Sequence, residues 1–433
     1  MSQTTKPNIL FLFPDQHRGD WMPYSAEVFA KLQMEAPPIA MPNVQRLMEN
    51  GTSFYRCISS SPLCAPARAC LASGFRYEGC RVPDNNDDYP VDLPSFYNLL
   101  KNSGYSVGGV GKFDLHKKAL YWGPEGWVDD LGRIGFTYGI DSEGKWDGVT
   151  ADERRKPGEG PRGPYFKYLH DNGLAGVYLA DMAKRQGKQN KGYTGASDLP
   201  DEAYGDTWIG ANGVDMLRAF PAGKPWFLQV NFSGPHEPWD ITQSMKARWE
   251  NVNFAKPERS SPELNKANNA IRQNYAAMLE NIDTQIGRLI AEVERRGELE
   301  NTYIFYASDH GDMLGDLDQY AKQRPDRGSV GIPLVCAGNG IRQGKCLGTL
   351  VELHDLAATF LELAGLCSGG WNESVSLMPV LTGKTEKHRR TAHSALKSWT
   401  ADYDRQYKTV CENGILIAKY DYINDPWERR NLL

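Results

Sequence analysis

The sequence predicts an α/β fold in which a large, mostly parallel sheet is sandwiched by helices and followed by a small antiparallel C-terminal subdomain. Short apolar runs bounded by polar loops recur at residues 9–13, 107–110, 226–232, 303–307 and 333–336. Between them lie longer segments with helical spacing, as at 271–294, where Ile271, Tyr275, Met278, Ile282, Ile286, Leu289 and Val293 recur every three or four residues. Past residue 391 the pattern changes to short strands with turn signals such as Glu412-Asn413-Gly414. Apolar runs that alternate with helices belong to a parallel sheet covered on both faces. At 433 residues the chain is too long for one ordinary core and suits a large domain with a satellite.

Along the chain, the first strand at 9–13 runs into Asp15 and Gln16. The strand at 107–110 leads to Lys112, that at 226–232 to His236, and that at 303–307 to Asp309. These are the carboxyl ends, where open α/β sheets collect their chemistry. Residues 117–204 form an insertion rich in Gly, Pro, Lys and Asp, with one helix expected near 165–185. Such an insertion serves as a lid or specificity loop, or is a surface excursion with no role. A helix at 353–363 is broken by Gly365. The main α/β domain is expected over 1–380 and the C-terminal subdomain over 381–433.

The formal net charge of −5 offers no basic field for nucleic acid, which excludes that class of partner. The start of the chain is polar, and the apolar run at 9–13 is too short for a signal-peptide core or a membrane span. A cytoplasmic location away from membranes is the expectation. Eight cysteines without a Cys-x-x-Cys pair argue against a zinc knuckle or a redox motif, and reduced thiols are expected.

The most telling stretch is Cys64-Ala65-Pro66-Ala67-Arg68 with Leu71, Ser73 and Gly74, of the form Cys-x-Pro-x-Arg-x-x-Leu-x-Ser-Gly. Five further blocks accompany it in order: Asn8 to Gln16; Pro42 to Leu47 with Gly51 and Phe54; Gly111-Lys112; Pro225 to Trp239 around His236; and Ser308-Asp309-His310-Gly311-Asp312 with Leu314-Gly315 and Lys322. Near the end stand Tyr420-Asp421, Asn424-Asp425-Pro426, Glu428 and Asn431-Leu432. Together these resemble the type I sulfatases of the alkaline phosphatase superfamily, whose cysteine is oxidised after synthesis to formylglycine by a formylglycine-generating enzyme.

That resemblance implies a sulfuric ester hydrolase, acting on a sulfated carbohydrate or another small sulfate ester. One divalent cation would be held by Asp15, Gln16, Asp309, His310 and an oxygen of the formylglycine at Cys64. Calcium is the first expectation; manganese and magnesium are the alternatives, since Gln16 and His310 replace the acid and amide of many relatives and leave the site less negative and softer. Arg68 would orient and activate the nucleophile, Lys112 and Lys322 would contact sulfate oxygens, and His236 would bond the sulfate or protonate the leaving oxygen. His17 and Arg18 would meet the group that bears the sulfate. Where the family has Gly-Lys-x-His, this chain has Gly111-Lys112-Phe113-Asp114-Leu115-His116. If this stretch is extended, Lys112, Asp114 and His116 share one face. Either His116, partnered by Asp114, or Asp114 itself is then expected to replace the missing histidine. Two other readings are a phosphonate monoester or phosphodiester hydrolase of the same superfamily, and an inert ligand-binding member of the fold.

Overall fold

The computed structural model describes residues 6–186 and 192–433. Residues 187–191 of the expected insertion and the first five residues of the chain lie outside the described residues. Among the described residues nine strands form the main sheet: β1 (Asn8–Asp15), β2 (Gly51–Ile58), β3 (Ser106–Gly111), β4 (Tyr138–Asp141), β5 (Trp226–Pro235), β6 (Thr302–Ala307), β7 (Gly331–Ala337), β8 (Lys345–Leu347) and β9 (Val351–Glu352). Their order is β4-β3-β5-β1-β6-β7-β2-β8, with β9 also pairing with β2. Every pairing is parallel except those of β7, which runs against both β6 and β2. Two successive reversals restore direction, so β2 points the same way as β1, β3, β5 and β6. Their carboxyl ends share one edge of the sheet.

β1 shows why the sheet is covered on both sides. Successive side chains of a strand point to opposite faces. Ile9, Phe11 and Phe13 enter one apolar cluster, whereas Leu10 and Leu12 enter the other. The first cluster is closed by the helices Cys64–Ser73, Phe96–Asn102 and Asp355–Leu363. The second is closed by Gly205–Ala219 and by the long helix Asn265–Arg295, whose buried stripe includes the seven residues picked out by their spacing.

A separate four-stranded antiparallel sheet, Ala392–Leu396, Trp399–Tyr403, Tyr407–Glu412 and Ile415–Asp421, packs around its own small core. The eight cysteines are free thiols. No helix among the described residues is long and apolar enough to cross a membrane.

The insertion departs from expectation in more than one respect: it holds β4 of the main sheet and, besides the expected helix, the helices Asp129–Ile134 and Lys145–Glu153. The single helix near 165–185 is two, Pro164–Asp171 and Ala175–Arg185, because Gly173 takes a left-handed φ of 70° between them. Tyr165, Phe166, Leu169, Tyr178 and Met182 from this pair join the core beneath the sheet. Glu143, just past β4, anchors it by accepting the N–H of Phe166 at 2.7 Å. The other Glu143 oxygen is buried without a partner among the described residues, and burial pushes this carboxyl from the ordinary 4.5 up to about 7.

A carboxyl with a raised folded-state pKa binds its proton more tightly in the folded protein, so stability falls as pH rises from about 4.5 to about 7. Wild-type protein is therefore expected to lose up to about 3 kcal/mol more between pH 5 and pH 8 than Glu143→Gln does. Urea denaturation at the two pH values measures this difference, and equal losses in the two proteins would refute it.

Candidate active site

The cysteine of the signature opens the helix Cys64–Ser73, just beyond the end of β2. Pro66 sits in the first turn, where no backbone N–H is missed, and Gly74 closes the helix in the left-handed region. All ten helical residues are buried, so Cys64 is fixed in depth. Serines tie the neighbouring loops to it: Ser59 Oγ donates to the Asp309 carbonyl, Ser308 Oγ donates to Pro14 O at 2.9 Å, and Ser308 Oγ accepts the N–H of His17 at 2.8 Å.

The glycine of Gly111-Lys112 has a specific task. At φ 93° the chain turns off β3 so closely that a Cβ would lie 2.0 Å from Asn231 O. Only glycine permits that turn, and it leaves Lys112 N donating to the same carbonyl at 3.0 Å.

Four potential ligand atoms meet at the sheet edge, from Asp15, Cys64, Asp309 and His310, all within 4.8 Å of one another and all buried. Cys64 Sγ is 3.2 Å from His310 Nε2 and 3.8 Å from Asp15 Oδ1. Two carboxylates and an imidazole at this spacing fit a divalent cation. Arg68 spans the pair of acids, with Nε 3.0 Å from Asp309 Oδ2 and Nη2 3.3 Å from Asp15 Oδ2. Its Nη1 donates to Lys112 O and to Asn231 Oδ1. Behind it, Gln229 Nε2 donates to Asn231 Oδ1 at 2.7 Å, and Tyr97 OH donates to Gln229 at 2.8 Å.

Lys112 Nζ pairs with Asp15 and lies 3.1 Å from Asp114 Oδ2. Lys322 Nζ donates to Gln16 Oε1 at 2.6 Å and to His236 Nε2. The Gln16 amide nitrogen donates to Glu237 and Asp312, at 2.6 Å each.

Electrostatics favour charge here despite burial. Burial pushes the Asp15 carboxyl up, yet Lys112, His236, Arg68 and Lys322 together hold it well below the usual range. Burial and Asp15 push the Cys64 thiol up, and Lys112, Lys322 and His310 outweigh them and hold it well below the usual thiol range. Lys112 is disfavoured by burial, but Asp114 and Asp15 keep it well above the ordinary lysine value. Burial pushes the Asp312 carboxyl up to about 6, with Glu237 adding to the push.

Three expectations from sequence need correction. The stretch after Lys112 is not extended: β3 ends at Gly111 and Asp114 has φ 51°. His116 consequently turns from Lys112 and faces Asp88 and Asp130, at 3.8 and 3.5 Å from its Nδ1. The residue that joins Lys112 and Asp114 is Lys117, 3.4 Å from Asp114 Oδ1 and 3.0 Å from Asp147. Asp114→Asn is expected to slow turnover by about 10² or more, the scale on which loss of one preorganised charge contact is felt, because Lys112 loses a carboxylate that holds it, while His116→Ala changes it less than about twofold. Steady-state rates of the two variants decide this, and a reversed order would return the role to His116.

Arg18 is not free to meet a substrate either. It is 2 % exposed and is committed to Asp20 at 2.7 Å, Asp316 at 2.6 Å and Met313 O at 3.0 Å. His17 is fully buried, with Nδ1 on Tyr306 OH and Nε2 on Trp21 O. Both residues shape the loop after Asp15 from within. Lys117, Asn231, Gln229, Glu237 and Asp312 were missed from sequence. Glu237 and Asp312 stand inside quoted blocks, and Lys117 lies three residues past Asp114, a spacing that brings the two together in any turn.

Opposed cations and carboxylates around one buried sulfur suit a hydrolase of anionic esters, and known proteins define the class further. A family model described as Sulfatase matches residues 7–366, and the chain belongs to that family. It is a hydrolase of the sulfatase kind, on a large mostly parallel sheet with a small antiparallel C-terminal sheet. It is similar to a choline-sulfatase of Rhizobium meliloti (strain 1021), 28 % identical over 88 % of this chain and 72 % of the relative. Among solved structures it is similar to a phosphonate monoester hydrolase from Silicibacter pomeroyi, with TM-score 0.77 and 20 % identity over 98 % of this chain and 91 % of that one. Another similar structure was solved in complex with its substrate D-glucosamine-2-N,6-O-disulfate, with TM-score 0.72 and 19 % identity over 99 % and 93 % of the two chains.

Proposed function

We propose that this protein cleaves the sulfate ester of a sulfated carbohydrate, with Cys64 converted to formylglycine by a formylglycine-generating enzyme and one divalent cation, calcium first, at Asp15, Gln16, Asp309 and His310. The observation that carries the reading is Cys64 at the start of a buried helix, 3.2 Å from His310 and within the field of Lys112 and Lys322. The sulfated glucosamine bound by a structural neighbour supports a sugar substrate. The aldehyde hydrate supplies a nucleophilic oxygen and a second hydroxyl whose loss of a proton releases sulfate, a release step that a serine would lack. The cation supplies charge that favours the ionised nucleophile.

The side chains divide the remaining work. Arg68 gives its donors to Asp309, Asp15, Lys112 O and Asn231, so it fixes the acids around the nucleophile and does not grip sulfate. Lys112 and Lys322 keep N–H groups for the sulfate oxygens and neutralise charge that builds there in the transition state. His236 Nδ1 lies against Glu237 O, and its Nε2 against Lys322 Nζ. With Nδ1–H donating to that carbonyl, Nε2 is the atom that faces Lys322 and the cleft, and a proton taken up there from water is the one passed to the leaving oxygen, while Lys322 keeps its own proton and charge. Asp114, held between Lys112 and Lys117, orients Lys112.

A second reading, hydrolysis of a phosphonate monoester or phosphodiester, is favoured by the likeness to the phosphonate monoester hydrolase fold. A sulfate monoester and a phosphate diester each carry one negative charge, so the same cations serve both. Turnover of sulfated mono- and oligosaccharides against phosphodiesters and phosphonate monoesters by one preparation separates the readings. At least one sulfated sugar is expected to have the higher kcat/KM, and a uniform preference for phosphorus esters would reverse the assignment.

A further inference from the structure

A concavity lies at the seam between the main sheet and the C-terminal sheet. None of Cys64, Lys112, His236 and Lys322 lines it. Its apolar lining comes from Leu32, Ile58, Val330 and Ile332, and its aromatic lining from Tyr55, Tyr403 and Tyr422. Four cations, Arg18, Lys31, Arg56 and Arg327, face it against two carboxylates, Asp20 and Glu428.

Most of that charge is already spent. Asp20 pairs with Arg18 at 2.7 Å and Arg327 at 3.1 Å, and Glu428 receives both its bonds from Lys408, at 2.7 and 2.8 Å. Lys31 pairs with the exposed Glu27. Arg56 differs: among the described residues its guanidinium makes no hydrogen bond or ion pair, and it lies 5.3 Å from the Tyr55 ring centre and 5.6 Å from that of Tyr422. Stacking on ring faces occupies the plane of a guanidinium and leaves its edge of N–H donors open, a fork that matches a planar oxyanion. A second open group is near. Tyr403 lines the same space, is 3 % exposed, and its buried hydroxyl has no hydrogen-bond partner among the described residues. An unpaired buried hydroxyl is destabilising, and a ligand oxygen would remove that cost.

We infer that this seam pocket is a binding site for a small organic carboxylate with an aromatic body. Its carboxylate meets the open edge of Arg56, its ring lies among the tyrosines and aliphatic side chains, and a polar substituent on the ring reaches Tyr403 OH. An inorganic anion lacks the body to fill it, and a neutral ring lacks the charge that Arg56 requires.

Benzoate and 4-hydroxybenzoate are the probes, titrated calorimetrically into the full-length, metal-loaded protein, with inorganic sulfate as the bare-anion control. Expected is saturable binding of 4-hydroxybenzoate with a Kd of about 1 mM or below, weakened at least about tenfold by Arg56→Gln. Tyr403→Phe, which deletes only the hydroxyl, is expected to weaken 4-hydroxybenzoate about fivefold and benzoate hardly at all. Arg56→Lys, which keeps the charge and loses the fork, stands in if Arg56→Gln fails to fold. Lys322→Ala should leave binding unchanged, which separates this pocket from the sulfate-ester cleft. The inference is overturned by the absence of saturable binding up to about 10 mM, by binding that Arg56→Gln and Arg56→Lys leave intact, by loss of binding in Lys322→Ala, or by displacement of 4-hydroxybenzoate by equimolar sulfate.

Discussion

Protein made without conversion of Cys64 is expected to fold, to bind its cation, and to turn over sulfate esters at least about 10⁴-fold more slowly than converted protein, the scale on which loss of a nucleophile is felt. The thiol of Cys64 sits among cations that favour its ionised form, so its weakness is not one of protonation. What it lacks is a second hydroxyl on the same carbon, without which a sulfated enzyme has no internal route to release its product. Co-expression with the converting enzyme should restore turnover and lower the mass of the Cys64 peptide by about 18 Da, or leave it nearly unchanged if the hydrate is retained. Full activity in protein whose Cys64 is shown by alkylation to be an intact thiol would overturn the mechanism.

Asp309→Asn is expected to weaken the cation at least about 100-fold and to abolish measurable turnover with it; even the partners of metal ligands carry effects of 10- to 100-fold. Asn is the right probe because it keeps an oxygen for the backbone N–H groups of Gln16 and His310, which Asp309 accepts at 3.0 and 2.9 Å. It removes the charge opposite Arg68 Nε, 3.0 Å away, and leaves that guanidinium to Asp15 alone. Breaking one half of a buried ion pair costs about 3–5 kcal/mol, so melting is followed alongside metal content. A folded Asp309→Asn protein that retains full metal occupancy would remove Asp309 from the cation site.

Much of this arrangement was legible in the order of residues. A strand buried on both faces reads as a mostly apolar run, so β1, β3, β5, β6 and β7 declare themselves, and Asp15, Lys112, His236 and Asp309 follow as the residues at or just beyond the ends of β1, β3, β5 and β6. β2 does not, because Thr52, Ser53 and Arg56 interrupt its run, although it sits within the sheet and delivers Cys64. Its place was marked by the cysteine signature and not by hydropathy.

What the chain order could not carry was direction and distance. The face on which His116 emerges depends on one backbone angle, the φ of 51° at Asp114, which moves His116 to Asp88 and Asp130 and brings in Lys117. Arg18 and His17 follow Asp15 as directly as any substrate contact would, but partners nearly 300 residues away, Asp316 and Tyr306, claim their side chains inside the protein. Which residue types stand at the sheet edge follows from chain order, because local periodicity and spacing are properties of the chain. Tertiary structure alone decided which of them are spent on each other and which remain open, as Arg56 does between Tyr55 and Tyr422, because the pairing of charges is settled by segments far apart in sequence.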